Sequence, residues 1–419
     1  MKRFDKTNDD SSSEFYDNLK SPFADTHDRC NQGDARRNDC QPEYMSEELC
    51  KSLIDIFHRL SLENNQVQSS QDDRWSSTCS CLASVLAASA RSRRYGAHRR
   101  LARRLAHSVQ AMRDALAVHG KPVDVIRSAD HSPILRTLYW LLTVATAAMV
   151  DCPSAKESFA EDNVAVSLNR LWPWCMMTDQ LRNAVMHLLF TFTNGCPKAW
   201  AAMCVCVGGR SLINEVCALV AREAALASRS HSDALLLLSL HTVRHCLHHH
   251  HCRALVLKSE FMSSMYKCCV RERTRGCSAA GAAWARACAQ LARHAEGAAG
   301  VLHTAPTHAA LAPPLRAALM PALAHAATHH RVTFLQSPDL LELLSGTLLA
   351  GDTAEVVSAA RAVWALAANN HKAKLLLRSA GVASAVQSTL QRFQRSHVDP
   401  ATERALQLLT YTNTVLQTT

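Results

Sequence analysis

The chain has 419 residues, 46 Lys and Arg against 36 Asp and Glu, a formal charge of +10 and 48% hydrophobic content. That content can fill a sizeable core, and Ala- and Leu-rich text with 5% aromatic residues favours helices over alternating strands. No run reaches the ~20 uninterrupted apolar residues of a membrane span. The 17 cysteines follow the polar opening MKRFDKTNDD, which no signal peptide resembles, and are scattered through helical text; they read as reduced and buried, not as a secreted disulfide framework.

Residues 1–45 carry ten acids against seven Lys or Arg and few large apolar residues, the composition of a disordered leader. Residues 46–130 are expected to hold the first helices. Ser46 is placed to cap a helix over Ser46–Glu63, with Leu49, Leu53, Ile56, Phe57 and Leu60 as its apolar stripe. A linker follows at 64–74. Two further helices are expected, one beginning at Trp75 and one over His98–Gly120. In the second, Leu101, Leu105, Val109, Met112 and Leu116 recur every three or four residues. The apolar run Ile134–Val150 is short for a span, carries Arg136, and reads as a buried helix.

From residue 131 to 419 one phrase recurs: a Leu- and Ala-rich helix, a sharp polar break, and a short run with a small residue at a fixed place. The breaks DCPSAK, NGCPKAW, HHHCRALVLK, RHAEGAAG, HHRVTFL and NNHKAKLLL put Ala155, Ala199, Ala254, Ala298, Val332 and Ala373 in that slot. The intervals scatter around 40 residues, the period of armadillo-like and HEAT-like repeats. One helical hairpin of this length cannot bury its apolar face alone, so stacking on neighbours is the expected solution. The expected fold is therefore an all-α, armadillo/HEAT-like solenoid behind a disordered leader. The last unit is cleanest: Asp352 and Glu355 suit a capping box, Asn369 and Asn370 a turn, Gly381 a stop, and Asp399-Pro400 the start of a closing helix. In the Ala-, His- and Arg-rich stretch 276–331 the stacking is expected to be least regular.

Candidate chemistry is sparse. No phosphate-cradling loop, dinucleotide fingerprint, HExxH or GxSxG occurs, so no enzyme and no cofactor are expected. Within Arg244–Arg253, His245 and His249 would share a helix face and, with Cys252, are the weak metal candidates. Consecutive histidines point around a helix, however, and the expectation is of turn residues with no metal. Cys79 and Cys81, Cys204 and Cys206, and Cys268 and Cys269 lack the two-residue gap of zinc knuckles. Seven arginines with no acid fall in residues 91–104: Arg91, Arg93, Arg94, Arg99, Arg100, Arg103 and Arg104. They read as a solvated helix face or as a docking patch for an acidic protein surface. With Tyr95 the only interleaved aromatic, nucleic acid is the weaker reading. Trp364 lies near Asn369, but the spacing is one residue off the Trp–Asn ladder that grips extended peptides in armadillo cargo adaptors. Trp364 is therefore expected in the core.

Three segments, LFTFTNGCPKAWAAM (Leu189–Met203), VWALAANNHKAKLLLRSAGVASAV (Val363–Val386) and the closing ERALQLLTYTNTVLQ, together resemble the C-terminal portion of the rotatin family over Ser132–Thr419. Members of that family are far longer than this chain, and residues 1–130 carry no such likeness. The resemblance implies an armadillo-like scaffold at the centrosome and basal body, contributing to centriole assembly and cilium formation through centriolar or other cytoskeletal proteins. No small-molecule substrate and no membrane insertion are expected. An armadillo-type peptide or cargo adaptor is the alternative, with nucleic-acid binding behind it.

Overall fold

The computed structural model describes residues 42–63, 72–118, 133–226, 234–271, 279–304, 313–395 and 400–418. The expected leader lies almost wholly outside the described residues, as do most of the expected linker, Gly120 and Asp399. The described residues form 22 helices and one hairpin of two-residue strands, β1 (Cys206–Val207) and β2 (Arg210–Ser211). The fold is an all-α helical-repeat solenoid.

Helices α1 (Pro42–Glu63), α2 (Asp72–Ala88), α3 (Ala90–His98) and α4 (Leu101–Val118) open it. Helix α1 starts before Ser46, which lies inside it and not at its cap, and α2 already includes Asp72–Arg74 of the expected linker. The buried stripe of α1 is Cys50, Leu53, Ile54 and Phe57, while Leu49 and Ile56 are exposed. The expected stripe was thus rotated: Leu49 turns outward and Cys50 is the residue that packs. What reads as one helix around residue 98 is broken at Arg100, whose φ of 55° ends α3 and restarts the chain as α4. Along α4 the expected positions Leu101, Leu105, Val109 and Leu116 are buried, and Met112 is half-buried.

The body repeats a unit of one long helix, a short helix after a tight turn, and a third helix. Its helices are α5 (Pro133–Met149), α6 (Pro153–Glu161) and α7 (Val164–Cys175); α8 (Asp179–Thr193), α9 (Pro197–Met203) and α10 (Leu212–Leu226); α11 (Ala234–Cys246), α12 (His250–Lys258) and α13 (Phe261–Arg271). After a contracted unit of α14 (Ala279–Ala292) and α15 (Ala295–Thr304) come α16 (Pro313–His329), α17 (Arg331–Leu335) and α18 (Pro338–Ala350), then α19 (Thr353–Ala367), α20 (His371–Ser379) and α21 (Val382–Gln394), with α22 (Pro400–Gln417) closing. The long helices form one row, α2, α5, α8, α11, α14, α16, α19 and α22, each packed on the next. A single hydrophobic core runs through the stack from Cys50 to Leu416. Helix α5, the apolar run Ile134–Val150, sits between α2 and α8 with Leu138, Leu141, Leu142 and Met149 buried. Among the described residues no helix is long and apolar enough to cross a membrane.

The tight turns follow from the residues that make them. Asp151 (φ 47°), Gly195 (φ 68°) and Asn369 (φ 55°) adopt the left-handed conformation immediately before Cys152, Cys196 and Asn370, the residues that open α6, α9 and α20. Gly, Asn and Asp visit that region at least cost. Pro153 and Pro197 then occupy the first helical position, where a missing N–H costs nothing. Asn370 accepts a hydrogen bond from the Ala373 amide, and Asp352 and Glu355 form the expected capping box on α19.

The register slot is partly displaced. Ala155, Ala199, Ala298 and Ala373 are buried. Ala254 is only half-buried, and Val332 is 69% exposed. Cys252 and Phe334, each two residues away, fill those slots, because the length of the preceding turn sets the helix phase. Among the described residues, α15 is the one helix between α14 and α16, where other units place two. Stacking, expected to be least regular there, is kept between the long helices. Helices α14 and α16 pack on each other, and their buried residues combine many alanines with the fully buried Trp284, Leu291, Leu319, Met320 and Leu323.

Candidate functional site

The arginine run is divided between α3, the Arg99–Arg100 turn and α4. Arg93 is buried, and its Nη1 donates to the carbonyls of Leu86 (2.7 Å) and Ala87 (3.0 Å), closing the C-terminus of α2. Arg93 is therefore a helix cap and leaves the expected docking patch. Burial lowers its pKa, with Asp151 opposing that shift. Arg91, Arg94, Arg99, Arg100, Arg103 and Arg104 are exposed. Arg99 donates from Nε to the Tyr95 hydroxyl (2.9 Å) and lies over its ring.

Three of the exposed arginines border an open cleft of about 430 Å³ between the α3–α4 corner and α6. Arg94, His98, Arg100 and Arg103 line one wall; Ser154, Ser158, Glu161 and Asp162 line the other. The run is free of acid in sequence but not in space. Arg103 Nε is 3.8 Å from Asp162, while Glu161 is held at 2.7 Å by Lys198 from the next unit. The site is a cationic rim facing a partly neutralised acidic wall, and exposed pairs of this kind contribute at most about 1 kcal/mol each.

Much of the remaining positive charge addresses backbone carbonyls across units. Lys156 on α6 donates to Asn194 O (2.7 Å) beyond α8. Arg331 on α17 donates to Ala368 O (3.2 Å) beyond α19, and Arg378 on α20 donates to Leu416 O at the end of α22. A cation on each of these short helices thus closes the exposed carbonyl end of the next long helix, where the helix dipole is negative.

Trp364 is half-buried against Tyr411, with ring centroids 6.2 Å apart, and is not the core residue expected. Asn369 and Asn370 belong to the turn, so neither forms a ladder with it.

The weak metal candidates separate. His245 ends α11, whereas His249 opens α12, so they do not share one helix face. His245 packs on Phe190, Thr193 Oγ1 lies 3.2 Å from its Nδ1, and burial with neighbouring Arg244 pushes its pKa down to about 3. His249 and Cys252 converge instead with Cys204, the C-terminal cap of α9. The Cys204 and Cys252 sulfurs are 2.8 Å apart, and His249 Nδ1 is 3.8 Å from Cys204 Sγ. Sequence reasoning missed Cys204 because its partners lie a full repeat away, and only the stacking of α9 on α12 joins them. Most described cysteines are buried, and among the described residues none is in a disulfide.

No protein-family model matches the chain, and no curated protein matches it. Among solved structures, an engineered protein from the Northeast Structural Genomics Consortium is similar over 91% of this chain and 97% of its own, with TM-score 0.54 and 13% identity. A second engineered protein from the same consortium covers 59% of this chain and 97% of its own, with TM-score 0.43 and 16% identity. At this identity the first likeness speaks to the fold alone.

Proposed function

We propose that the chain is a noncatalytic helical scaffold that works through protein contacts at the centrosome and basal body, supporting centriole assembly and cilium formation. The observation that carries the scaffold reading is the uninterrupted row of long helices, with its side chains committed to one internal core and the exposed arginine rim of α3 and α4 as its most concentrated charge. A rim of this kind suits an acidic protein surface, which its field would steer. The location rests on the rotatin-like phrases alone. The adaptor alternative needs a ladder of Trp and Asn along a groove. The half-buried Trp364 and the turn-bound Asn369 and Asn370 do not supply one.

Proximity labelling in dividing, ciliating cells tests this reading. The expected result is enrichment of centriolar proteins, reduced several-fold by the combined reversals Arg100→Glu, Arg103→Glu and Arg104→Glu. Diffuse or nuclear labelling beside normally stained centrioles overturns the location. Unchanged labelling in the reversed variant reduces the rim to a solvated face.

A further inference from the structure

Cys204, His249 and Cys252 bring two thiols and an imidazole from successive units into one small volume, with all three ligand atoms within 4.8 Å of one another. Their elements hold them there. Cys204 caps α9; His249 is the first cap of α12, and Cys252 is the third residue of that helix. Trp200 supports both thiols from behind. Its carbonyl accepts from Cys252 Sγ at 3.2 Å and from Cys204 Sγ at 3.7 Å. Its indole Nε1 is fixed by donation to Thr193 O (2.6 Å), and its ring stacks on His248. Arg253 ties down the turn that carries His249 by donating to the carbonyls of Leu247 and His248. Cys252 is fully buried, whereas Cys204 and His249 are half-buried, so solvent reaches the cluster from one side.

We propose that these three residues form a zinc site clamping the α8–α10 unit to the α11–α13 unit. Two thiolates and an imidazole with no carboxylate are soft ligands that select zinc over magnesium or calcium. On binding, the two thiols release their protons to solvent, and neutral His249 donates its Nδ1 lone pair. The dication and two thiolates then balance in charge, and water completes a tetrahedron. Zinc–sulfur bonds of about 2.3 Å place the sulfurs of two such thiolates about 3.7 Å apart. Starting from 2.8 Å, each therefore moves by roughly half an ångström, within the reach of a side-chain rotation. The outer partners are present too, since the Trp200 carbonyl and the Arg253-bound turn orient the ligands. The site stands independently of any cellular location.

The test uses the full chain, reduced, stripped with a chelator and titrated with zinc against a chromophoric competitor. Folding is checked by circular dichroism. The expected result is one zinc per chain at nanomolar or tighter affinity, weakened about 100-fold by Cys204→Ser and at least 10-fold by His249→Asn. Exposed His251→Gln should leave affinity unchanged. Cobalt in place of zinc should give thiolate charge-transfer absorption that Cys204→Ser abolishes. A folded wild-type chain that takes up no stoichiometric zinc overturns the proposal. So does equal binding by folded Cys204→Ser, or a mass two daltons low with no metal, which would mark a Cys204–Cys252 disulfide instead.

Discussion

The C-terminal unit and the contracted middle unit solve one packing problem with different means. Around α19, a capping box starts the helix. Val356, Val363 and Leu366 are buried beside Ala359, Ala360, Ala362, Ala365 and Ala367, with Leu344 of α18 and Leu377 of α20 buried as well. Around α14 the described residues place one helix, α15, before α16, and the fully buried Trp284 stands among buried alanines, leucines and Met320 of the two long helices. Small side chains let helix surfaces approach closely, and Trp284 is the largest of the buried side chains there. The lesson is that units that differ in their described short helices keep their place in the stack while the long-helix row is unbroken. The middle unit should accordingly be most sensitive at Trp284, the one large ring in its packing.

The largest expected effect follows directly. Trp284→Ala should cost about 3–5 kcal/mol, while Trp364→Ala, removing a half-buried ring in the C-terminal unit, should cost about 1 kcal/mol. Urea unfolding of the two variants measures the contrast, and similar losses would break it. Next is a pair of glycines. A Cβ on Gly297 would sit 2.1 Å from the Leu291 carbonyl oxygen, whereas one on Gly346 in α18 meets nothing within 4 Å. Gly297→Ala should therefore destabilise by about 3 kcal/mol, and Gly346→Ala should stabilise by about 0.5–1 kcal/mol. Thermal midpoints moving in opposite directions would confirm the sign.

The third effect depends on pH. His245 is held at about 3 against its ordinary 6.5, chiefly by burial, and His187 on α8 is lowered by burial as well. A folded-state value below the unfolded one means that the unfolded chain binds the proton more readily. The contribution is complete above pH 6.5 and is lost as pH falls toward 3. Each unit of depression corresponds to at most about 1.4 kcal/mol, reduced by solvent access at half-buried His245. Hydrogen exchange at pH 4.5 should show α8 and α11 opening before α19 and α22. His245→Gln should flatten that acid loss.

The repeat was legible in sequence because its turns demand unusual residues. Asp151, Gly195 and Asn369 announce a left-handed corner, and the prolines after two of them announce a helix start. The phase of a short helix was not legible at two of the three breaks that lack such a corner residue. Ala254 and Val332 were placed by alignment of text, yet Cys252 and Phe334 point inward. Charge was visible in the arginine run, but a carbonyl cannot be seen in a string of letters. Arg93 was therefore counted with the surface although it closes α2. The thiol–imidazole cluster needed two short helices one repeat apart, and no local spacing encodes that pairing.

The cations that reach from one short helix to the end of the next long helix have a mechanical corollary. Lys156, Arg331 and Arg378 each tie neighbours only, so tension along the stack would be borne by links in series. Stretched from its ends, such a chain should yield one bay at a time, giving a sawtooth of small force drops in place of one abrupt rupture.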